Sequence, residues 1–374
     1  MSKTTINMMS SATSVKGQGV GSAYIEQVGL VSSELSDKFE VTINKRIKAD
    51  ITHYHTINFG YYLSMKSLTS RGKSVGYVHM LPETVETSVN LPRFMKQIFY
   101  KYMISFYKRM DYLVTVNPYF IGRLAHYGVD KSKVTYIPNF VSSEVFHPVS
   151  PEEKIKLREK YGIDKDKFTV ICAGQLQVRK GVFDFIEVAK RMPDVQFVWA
   201  GGFSFGKISD GYGEIKKICD DPPANVKLLG IIDREYMNEV YNLGDVMFLP
   251  SFEELFPMTI LEAMCVNIPV FLRGLDIYPD ILFDFYSKAD DVDGFVKELD
   301  RLHNNKEYYA QQCEASRRGN HFYSREHVRK CGTSFTQWSG IQSRNKSEPQ
   351  VSLRLYLYLS LIHISEPTRR VVIS

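Results

Sequence analysis

The stretch PSFEELFPMTILEAMCVNIPVFLR, residues 250–273, predicts a loop, a helix and a strand that follow one another directly. The loop comes after an apolar strand and carries Glu253 and Glu254, and the helix begins near Pro257. Open α/β sheets bind ligands at the carboxyl ends of their parallel strands. The free N–H groups and the positive dipole end of the following helix suit a diphosphate. The stretch therefore predicts an α/β sheet with an anionic ligand at this edge.

Two carboxylates of this stretch are candidate ligand-binding groups. Glu254 precedes the helix and can accept hydrogen bonds from sugar hydroxyls, whereas Glu262 lies inside the helix and can accept from a ribose diol. Glu262 stands in an apolar run, where a buried carboxylate needs a partner. Proline is tolerated in a first helical turn, so the helix can begin at Pro257. We therefore place the diphosphate at the helix start formed by Pro257, Met258 and Thr259. The alternative is a surface loop followed by an ordinary amphipathic helix.

A second stretch, GQLQVRKGVFDFIEVAKRMPDVQFVWAGG at residues 174–202, predicts a turn, a helix and a strand after an apolar strand. Lys180 lies at the start of this helix, where its charge adds to the backbone donors and can clamp a diphosphate. Arg179 precedes it, and Gln175 follows the first glycine. Gln175 can donate a hydrogen bond but carries no charge. The alternative is a helix start whose charges are solvated.

Glu254 and Glu262, with seven residues between them, match the E-x7-E motif of glycosyltransferase family four. Together with the RKG-containing stretch, this motif makes residues 4–330 resemble enzymes of that family, which have the GT-B fold. The resemblance implies a retaining transfer of a hexose, with no metal and no cofactor beyond the UDP-sugar donor. It also implies a basic residue where Gln175 stands, so one diphosphate clamp is weaker here unless Arg179 compensates.

Strand-like and helix-like segments alternate in both halves of the chain, which is typical of parallel sheets with helices on both faces. Turn residues at 138–151 interrupt the alternation. We therefore predict two Rossmann-like domains facing each other across a cleft, with residues 1–145 binding the acceptor and residues 146–335 binding the nucleotide sugar. The string LSLIHISEPTR, residues 359–369, resembles a translated sequencing-library adapter. We predict that residues 343–374 are a non-native or disordered tail, the alternative being an apolar tail that packs on the body.

The N-terminal half contributes a glycine-rich turn and a histidine. The turn Gly17–Gly21 is predicted between the first strand and the first helix, where glycine lets the backbone approach a phosphate closely. We place Gly19 beside the nucleotide sugar, although simple turn chemistry or a dinucleotide site fits the same pattern. His79 ends a predicted strand, and the resemblance implies that it is the active-site histidine that contacts the donor hexose. Its alternative is a hydrogen-bonded histidine at a strand end.

No metal site is predicted. His53 and His55 form an H-x-H pattern on a strand, so both side chains share one face, but no third ligand is evident. The five cysteines are irregularly spaced and form no C-x-x-C motif. This pattern indicates a reducing compartment without a disulfide framework.

A basic and aromatic segment, LPRFMKQIFYKYMISFYKR at residues 91–109, contains no acidic residue. It fits a helix that lies in the headgroup region of an anionic membrane, with cations to lipid and aromatic rings to the acyl boundary. The candidate membrane-surface cations are Arg93, Lys96, Lys101, Lys108 and Arg109. The alternative is a core helix with a basic solvent face.

The charge distribution agrees with an anionic partner, because residues 1–150 contain 17 Lys and Arg against 10 Asp and Glu. Neither a bilayer-spanning apolar stretch nor a signal-peptide pattern is evident. We predict a cytoplasmic protein that is peripheral at the inner face of the cell membrane and has no nucleic-acid partner.

The stretches YHTINFGYYL, GYVHMLPETVE and FYKYMISFYKRMDYLVTVNPYF resemble the diacylglycerol glycolipid synthases of Gram-positive bacteria. Within that group the resemblance is strongest to enzymes that add a second hexose to monoglucosyl-diacylglycerol. It implies UDP-glucose or UDP-galactose as donor and a membrane glycolipid as acceptor. The alternatives are transfer to diacylglycerol or to a polysaccharide precursor, a Rossmann dehydrogenase, and a non-catalytic, nucleotide-binding, membrane-associated protein.

Overall fold

The computed structural model describes residues 3–12, 19–68, 72–86, 92–203, 206 and 210–325. The first of its two sheets is formed by Thr4–Met9 (β1), Phe39–Ile43 (β2), Ile51–Tyr54 (β3), Lys73–Val78 (β4), Tyr112–Thr115 (β5) and Val134–Tyr136 (β6). The strand order is β2-β1-β3-β4-β5-β6, and all pairings are parallel.

The second sheet also has six parallel strands. They are Thr169–Ala173 (β7), Gln196–Ala200 (β8), Val226–Gly230 (β9), Val246–Leu249 (β10), Val270–Arg273 (β11) and Ser287–Ala289 (β12). The strand order is β12-β11-β10-β7-β8-β9. The predicted α/β class, with two parallel sheets, is therefore confirmed. The boundary predicted near residue 145 lies between β6 and the first helix of the second half, which begins at Pro151.

Parallel strands need crossover connections, and helices supply them in both halves. The N-terminal helices are Gly19–Glu34 (α1), Phe59–Leu68 (α2), Pro82–Glu86 (α3), Arg93–Lys108 (α4) and Tyr119–His126 (α5). The C-terminal helices are Pro151–Tyr161 (α6), Val182–Arg191 (α7), Tyr212–Asp220 (α8), Met237–Leu243 (α9), Met258–Cys265 (α10), Pro279–Leu282 (α11), Val292–Asn304 (α12) and Lys306–Tyr323 (α13). No helix in the described part of the chain has the length and hydropathy needed to cross a bilayer.

The glycine-rich turn differs from its prediction. Helix α1 already begins at Gly19, so Gly19 and Gly21 belong to its first turn and not to a loop before it. A Cβ added at Gly21 would lie 3.3 Å from the carbonyl oxygen of Ala12, which shows how closely the helix start approaches the chain after β1. Gly17 lies outside the described residues.

The core of the C-terminal half explains the continuous apolar runs of its strands. Every residue of β7 is buried, as expected for a strand that is covered on both faces. The ring of Phe185 on α7 contacts the ring of Trp199 edge-on and stacks on the ring of Phe248. These contacts fix α7, and with it the turn that carries Lys180, against the sheet.

Direct contacts join the two halves. The side-chain amides of Asn117 and Asn139 donate to the carbonyl oxygens of Leu255 and Phe256, both over 2.9 Å. After α13 the chain returns to the N-terminal half, where Ser324 forms a bridge with Val141. The predicted tail, residues 343–374, lies outside the described residues.

We expect the substitution Gly181→Ala to lower the free energy of unfolding by on the order of 2 kcal/mol. Gly181 has a φ of +73°, and a Cβ there would overlap the carbonyl oxygen of Pro250. Urea unfolding monitored by circular dichroism measures the effect. The matched control is Gly213→Ala on α8, where an added Cβ has no described atom within 4 Å. Equal stability of the two variants would mean that the backbone at Gly181 does not require glycine.

Candidate active site

A cavity of about 600 Å³ lies between the two halves of the molecule. Its wall combines Gly19 and His79 from the N-terminal half with the two predicted ligand-binding stretches of the C-terminal half. The C-terminal lining includes Gln175, Arg179, Lys180, Glu254, Pro257, Met258, Thr259 and Glu262. The structure therefore brings every residue predicted to be catalytic or to bind the nucleotide sugar to one cavity.

A buried ion pair lies in the wall of this cavity. The Lys180 ammonium donates to a carboxylate oxygen of Glu254, and the two side chains are 12% and 7% exposed. Lys180 ends a single helical turn after β7, and Glu254 follows β10, the neighbouring strand. Burial lowers the pKa of Lys180, and the carboxylate of Glu254 opposes that shift. Two residues predicted for separate ligands, the diphosphate and the hexose, are thus partners of each other.

The start of α10 also faces the cavity. Pro257 is its N-cap and provides no side-chain hydrogen bond to the helix. The hydroxyl oxygen of Thr259 is buried and has no hydrogen-bond partner among the described residues. The first turn therefore presents uncapped N–H groups and a free hydroxyl, the donors that suit an anion.

Glu262 is buried and held at both carboxylate oxygens. Arg234 Nη1 donates to its Oε1 over 2.8 Å, and the hydroxyl of Tyr241 donates to its Oε2 over 2.6 Å. Arg234 also donates through Nη2 to Glu26 Oε1 over 2.7 Å. Burial raises the pKa of Glu26, and Arg234 opposes that shift. Arg234, Tyr241 and Glu26 were not predicted from the sequence, because no local pattern marks partners that are this distant along the chain.

Gln175, which was predicted to be a weak diphosphate clamp, lines the cavity together with Arg179. Gln175 Oε1 is buried without a hydrogen-bond partner among the described residues, and so is Arg179 Nε. Arg179 Nη1 donates to the carbonyl oxygen of Glu253 over 3.3 Å. Since Arg179 lines the cavity beside Lys180, two cationic side chains can face one diphosphate.

His79 follows β4 directly and lies at the end of a column of rings. Its ring centroid is 4.7 Å from that of Tyr77, which stacks on His55 at 5.0 Å, and His53 lies 4.4 Å from His55. Burial lowers the pKa of His79 to about 4 and that of His53 to about 3. It holds the pKa of His55 well below the usual range. All three imidazoles are therefore neutral at neutral pH, when a ring nitrogen can donate or accept.

The described residues include no group of three or more His, Cys, Asp or Glu side chains arranged to hold a metal ion. Independence from metal and from any cofactor stays a prediction.

The two ends of helix α4 differ in how far their apolar side chains are buried. Met103, Phe106 and Tyr107 are buried in the core, whereas Phe94 and Ile98 are each 64% exposed. The core alternative therefore describes the C-terminal half of the helix, whereas the membrane-surface role of its exposed N-terminal half stays a prediction.

A second cavity, of about 760 Å³, lies against the C-terminal half of α4 and is lined by Lys101, Lys108 and Arg109. Arg109 also lies over the ring of Tyr62, with its Cζ 3.7 Å from the ring centroid. Arg93 is exposed near the beginning of the helix, and Lys96 is half-buried. The predicted membrane-surface cations thus extend along the whole of α4.

Helix α2 adds an apolar surface that was not predicted from the sequence. Phe59 and Leu63 are 64% and 66% exposed. The ring of Phe59 contacts Tyr102 of α4, with 6.1 Å between the centroids. The exposed apolar side chains of α2 and α4 therefore lie on two helices that contact each other.

Comparisons with known proteins define the family. The model of glycosyl transferases group 1 matches residues 153–319, and the model of glycosyltransferase family 4 matches residues 39–145. The chain belongs to this glycosyltransferase family and is a glycosyltransferase. It is 45% identical over 326 residues to the alpha-galactosylglucosyldiacylglycerol synthase of Streptococcus pneumoniae, an alignment that covers 87% of each protein. It is 26% identical to the processive diacylglycerol alpha-glucosyltransferase of Acholeplasma laidlawii, over 72% of this chain and 78% of that enzyme.

Solved structures agree on the fold. The Anabaena protein HepE, in complex with UDP and glucose, superposes with a TM-score of 0.70 at 15% identity, covering 92% of this chain and all of HepE. Sucrose-phosphate synthase from Thermosynechococcus elongatus gives a TM-score of 0.70 at 14% identity, over 91% of this chain and all of that chain. The predicted GT-B arrangement is confirmed, and the family membership decides against the dehydrogenase and non-catalytic alternatives.

We expect the folded protein to lose stability as the pH falls from about 7 to about 5. The histidines of the unfolded chain take up protons in this interval, whereas His53, His55 and His79 stay neutral in the folded state. The stabilisation is present above the unfolded pKa and is lost towards the lowered folded pKa, with at most about 1.4 kcal/mol per pH unit for each histidine. Urea unfolding at several pH values measures the slope.

The variants His53→Phe and His55→Phe keep a planar ring without a titratable nitrogen, so each should flatten this slope. The control is His126→Phe at the exposed end of α5, which should leave the slope unchanged. If all three variants had the slope of the parent protein, the three-histidine explanation would be wrong.

Proposed function

We propose that the protein transfers a hexose, galactose or glucose, from a UDP-sugar to monoglucosyl-diacylglycerol with retention at the anomeric carbon. The supporting observation is the convergence on one cavity of cations and of buried polar atoms that have no hydrogen-bond partner among the described residues. Those atoms belong to His79, Gln175, Arg179 and Thr259. Buried polar groups are nearly always hydrogen-bonded in folded proteins, so their convergence indicates a ligand rich in donors and acceptors.

The C-terminal half supplies the groups for the nucleotide. Arg179, Lys180 and the uncapped start of α10 would hold the diphosphate, and Glu262 would accept hydrogen bonds from the ribose. Glu254 and His79 would hold the hexose from opposite sides of the cavity, and Gly19 would approach the donor from the first turn of α1. In a retaining transfer the diphosphate leaves from the face of the hexose that the acceptor hydroxyl approaches. The cavity must therefore hold both groups on that face.

The acceptor is proposed from the streptococcal relative, whose name describes synthesis of a diglycosyl diacylglycerol and which covers most of this chain. Two relatives from Acholeplasma laidlawii are named as a processive diacylglycerol alpha-glucosyltransferase and an alpha-monoglucosyldiacylglycerol synthase. The exposed apolar side chains of α2 and α4 and the cations of α4 support an acceptor that is reached from the inner leaflet of an anionic membrane.

The direct test uses purified protein, vesicles containing monoglucosyl-diacylglycerol, and UDP-glucose or UDP-galactose. We expect a diglycosyl lipid, identified by mass spectrometry, and unchanged rates with EDTA because the cationic side chains replace a metal. Transfer only to diacylglycerol or to soluble acceptors would overturn the acceptor assignment. Loss of activity with EDTA, restored by a divalent cation, would overturn the metal-free mechanism.

We expect Glu254→Gln to lower kcat by at least about 100-fold, since a transition-state interaction is removed and Lys180 loses its charged partner. The matched control is the neighbouring Glu253→Gln, which makes the same chemical change at a side chain outside the cavity wall. Equal rates for the two variants would exclude a specific role for Glu254.

Membrane binding has its own test. We expect the double substitution Phe94→Ser/Ile98→Ser to weaken binding to anionic vesicles by about tenfold or more, because two exposed apolar side chains no longer enter the acyl boundary. The control is Ile155→Ser on α6, which changes an exposed apolar residue of the other half. Vesicle co-sedimentation measures both, and equal binding would place the membrane contact elsewhere.

A further inference from the structure

Arg234 occupies the point where the two halves and the cavity meet. It precedes α9 in the C-terminal half and lines the cavity. Its guanidinium joins Glu262 of the C-terminal half, at 2.8 Å, to Glu26 on α1 of the N-terminal half, at 2.7 Å. The side chains of Arg234, Glu26 and Glu262 are 22%, 7% and 5% exposed. One side chain therefore carries a largely buried electrostatic link between the halves.

The charges of this cluster favour the link. Two largely buried carboxylates share one guanidinium, and either would be costly to bury without it. The planar fork of arginine reaches both acceptors at once, which a lysine ammonium does not do in the same geometry. The guanidinium is also supported by the ring of Phe146, with its Cζ 5.2 Å from the ring centroid.

Glu262 remains able to bind a ligand while it is held. Each carboxylate oxygen has two acceptor positions, and Arg234 and Tyr241 each take one of them on different oxygens. The carboxylate is thus fixed in orientation, with one acceptor position left on each oxygen for a diol.

We propose that Arg234 and Glu26 are positioning residues that orient Glu262 for the donor ribose when the two halves are closed on each other. This inference rests on the proposed function of Glu262. Because Glu26 comes from the opposite half, closure and ribose binding are coupled. By reciprocity, a nucleotide bound at Glu262 strengthens the closed arrangement.

Steady-state kinetics test the pair. We expect Glu26→Gln and Arg234→Lys each to raise the KM for the UDP-sugar roughly tenfold. The KM for the glycolipid and the kcat at saturating donor should change much less. The double variant should resemble the single variants, because both substitutions break the same link. A similar loss for both substrates, or additive effects, would contradict a role specific to the donor.

The chain offers a matched control at Arg191. This arginine also joins two carboxylates, those of Glu187 and Asp293, but it is exposed and all three residues belong to the C-terminal half. Arg191→Lys should leave the donor KM unchanged. Urea unfolding of each variant establishes that the fold is intact.

Calorimetry with UDP alone separates this inference from the proposed acceptor, since it needs no turnover. Weaker UDP binding by Glu26→Gln supports the link even if no glycolipid is made. Unchanged UDP binding by folded Glu26→Gln and Arg234→Lys would overturn the link while leaving the proposed transfer intact. Small-angle scattering adds a structural readout, because Glu26→Gln should increase the radius of gyration of the UDP-bound protein.

Discussion

The ion pair of Lys180 and Glu254 is the interaction on which the site depends, because neither charge could be buried there alone. The two residues follow β7 and β10, which are neighbours in the sheet, so the sheet itself fixes their separation. In the proposed function, a diphosphate that reaches Lys180 would bring negative charge to the ammonium, and Glu254 would then accept hydrogen bonds from sugar hydroxyls. The pair would thus keep its charges compensated both before and after a ligand binds.

Much of the fold and site could be predicted because the relevant signals are local. A parallel sheet brings the carboxyl ends of its strands to one edge, so motifs after β7 and β10 had to converge. The link from Glu26 to Arg234 spans 208 residues and depends on how the two halves of the chain pack against each other. No spacing rule connects such residues. The start of α1 was also misplaced, since glycine is typical of turns and the close approach of Gly21 to Ala12 is a contact that no local pattern reveals.

The composition of helix α4 does not predict which of its apolar residues are exposed. Its apolar residues fill more than one stripe, a pattern that indicates neither a pure surface helix nor a pure core helix. The structure divides the apolar residues along the helix axis instead, with Phe94 and Ile98 exposed and Phe106 buried. Phe59 and Leu63 on α2 could not be identified as exposed, because an apolar residue has the same identity in a core and on a surface. Only the path of the chain distinguishes them.

The two halves contribute different chemistry to the cavity, and this division suits a group transfer. The C-terminal side contributes Arg179, Lys180 and the uncapped start of α10, which in the proposed function face the departing diphosphate. The N-terminal side contributes His79, which burial keeps neutral. In the proposed function His79 contacts the hexose, so its neutral imidazole adds no further charge beside the transferred sugar. The electrostatic stabilisation then stays concentrated on the leaving diphosphate.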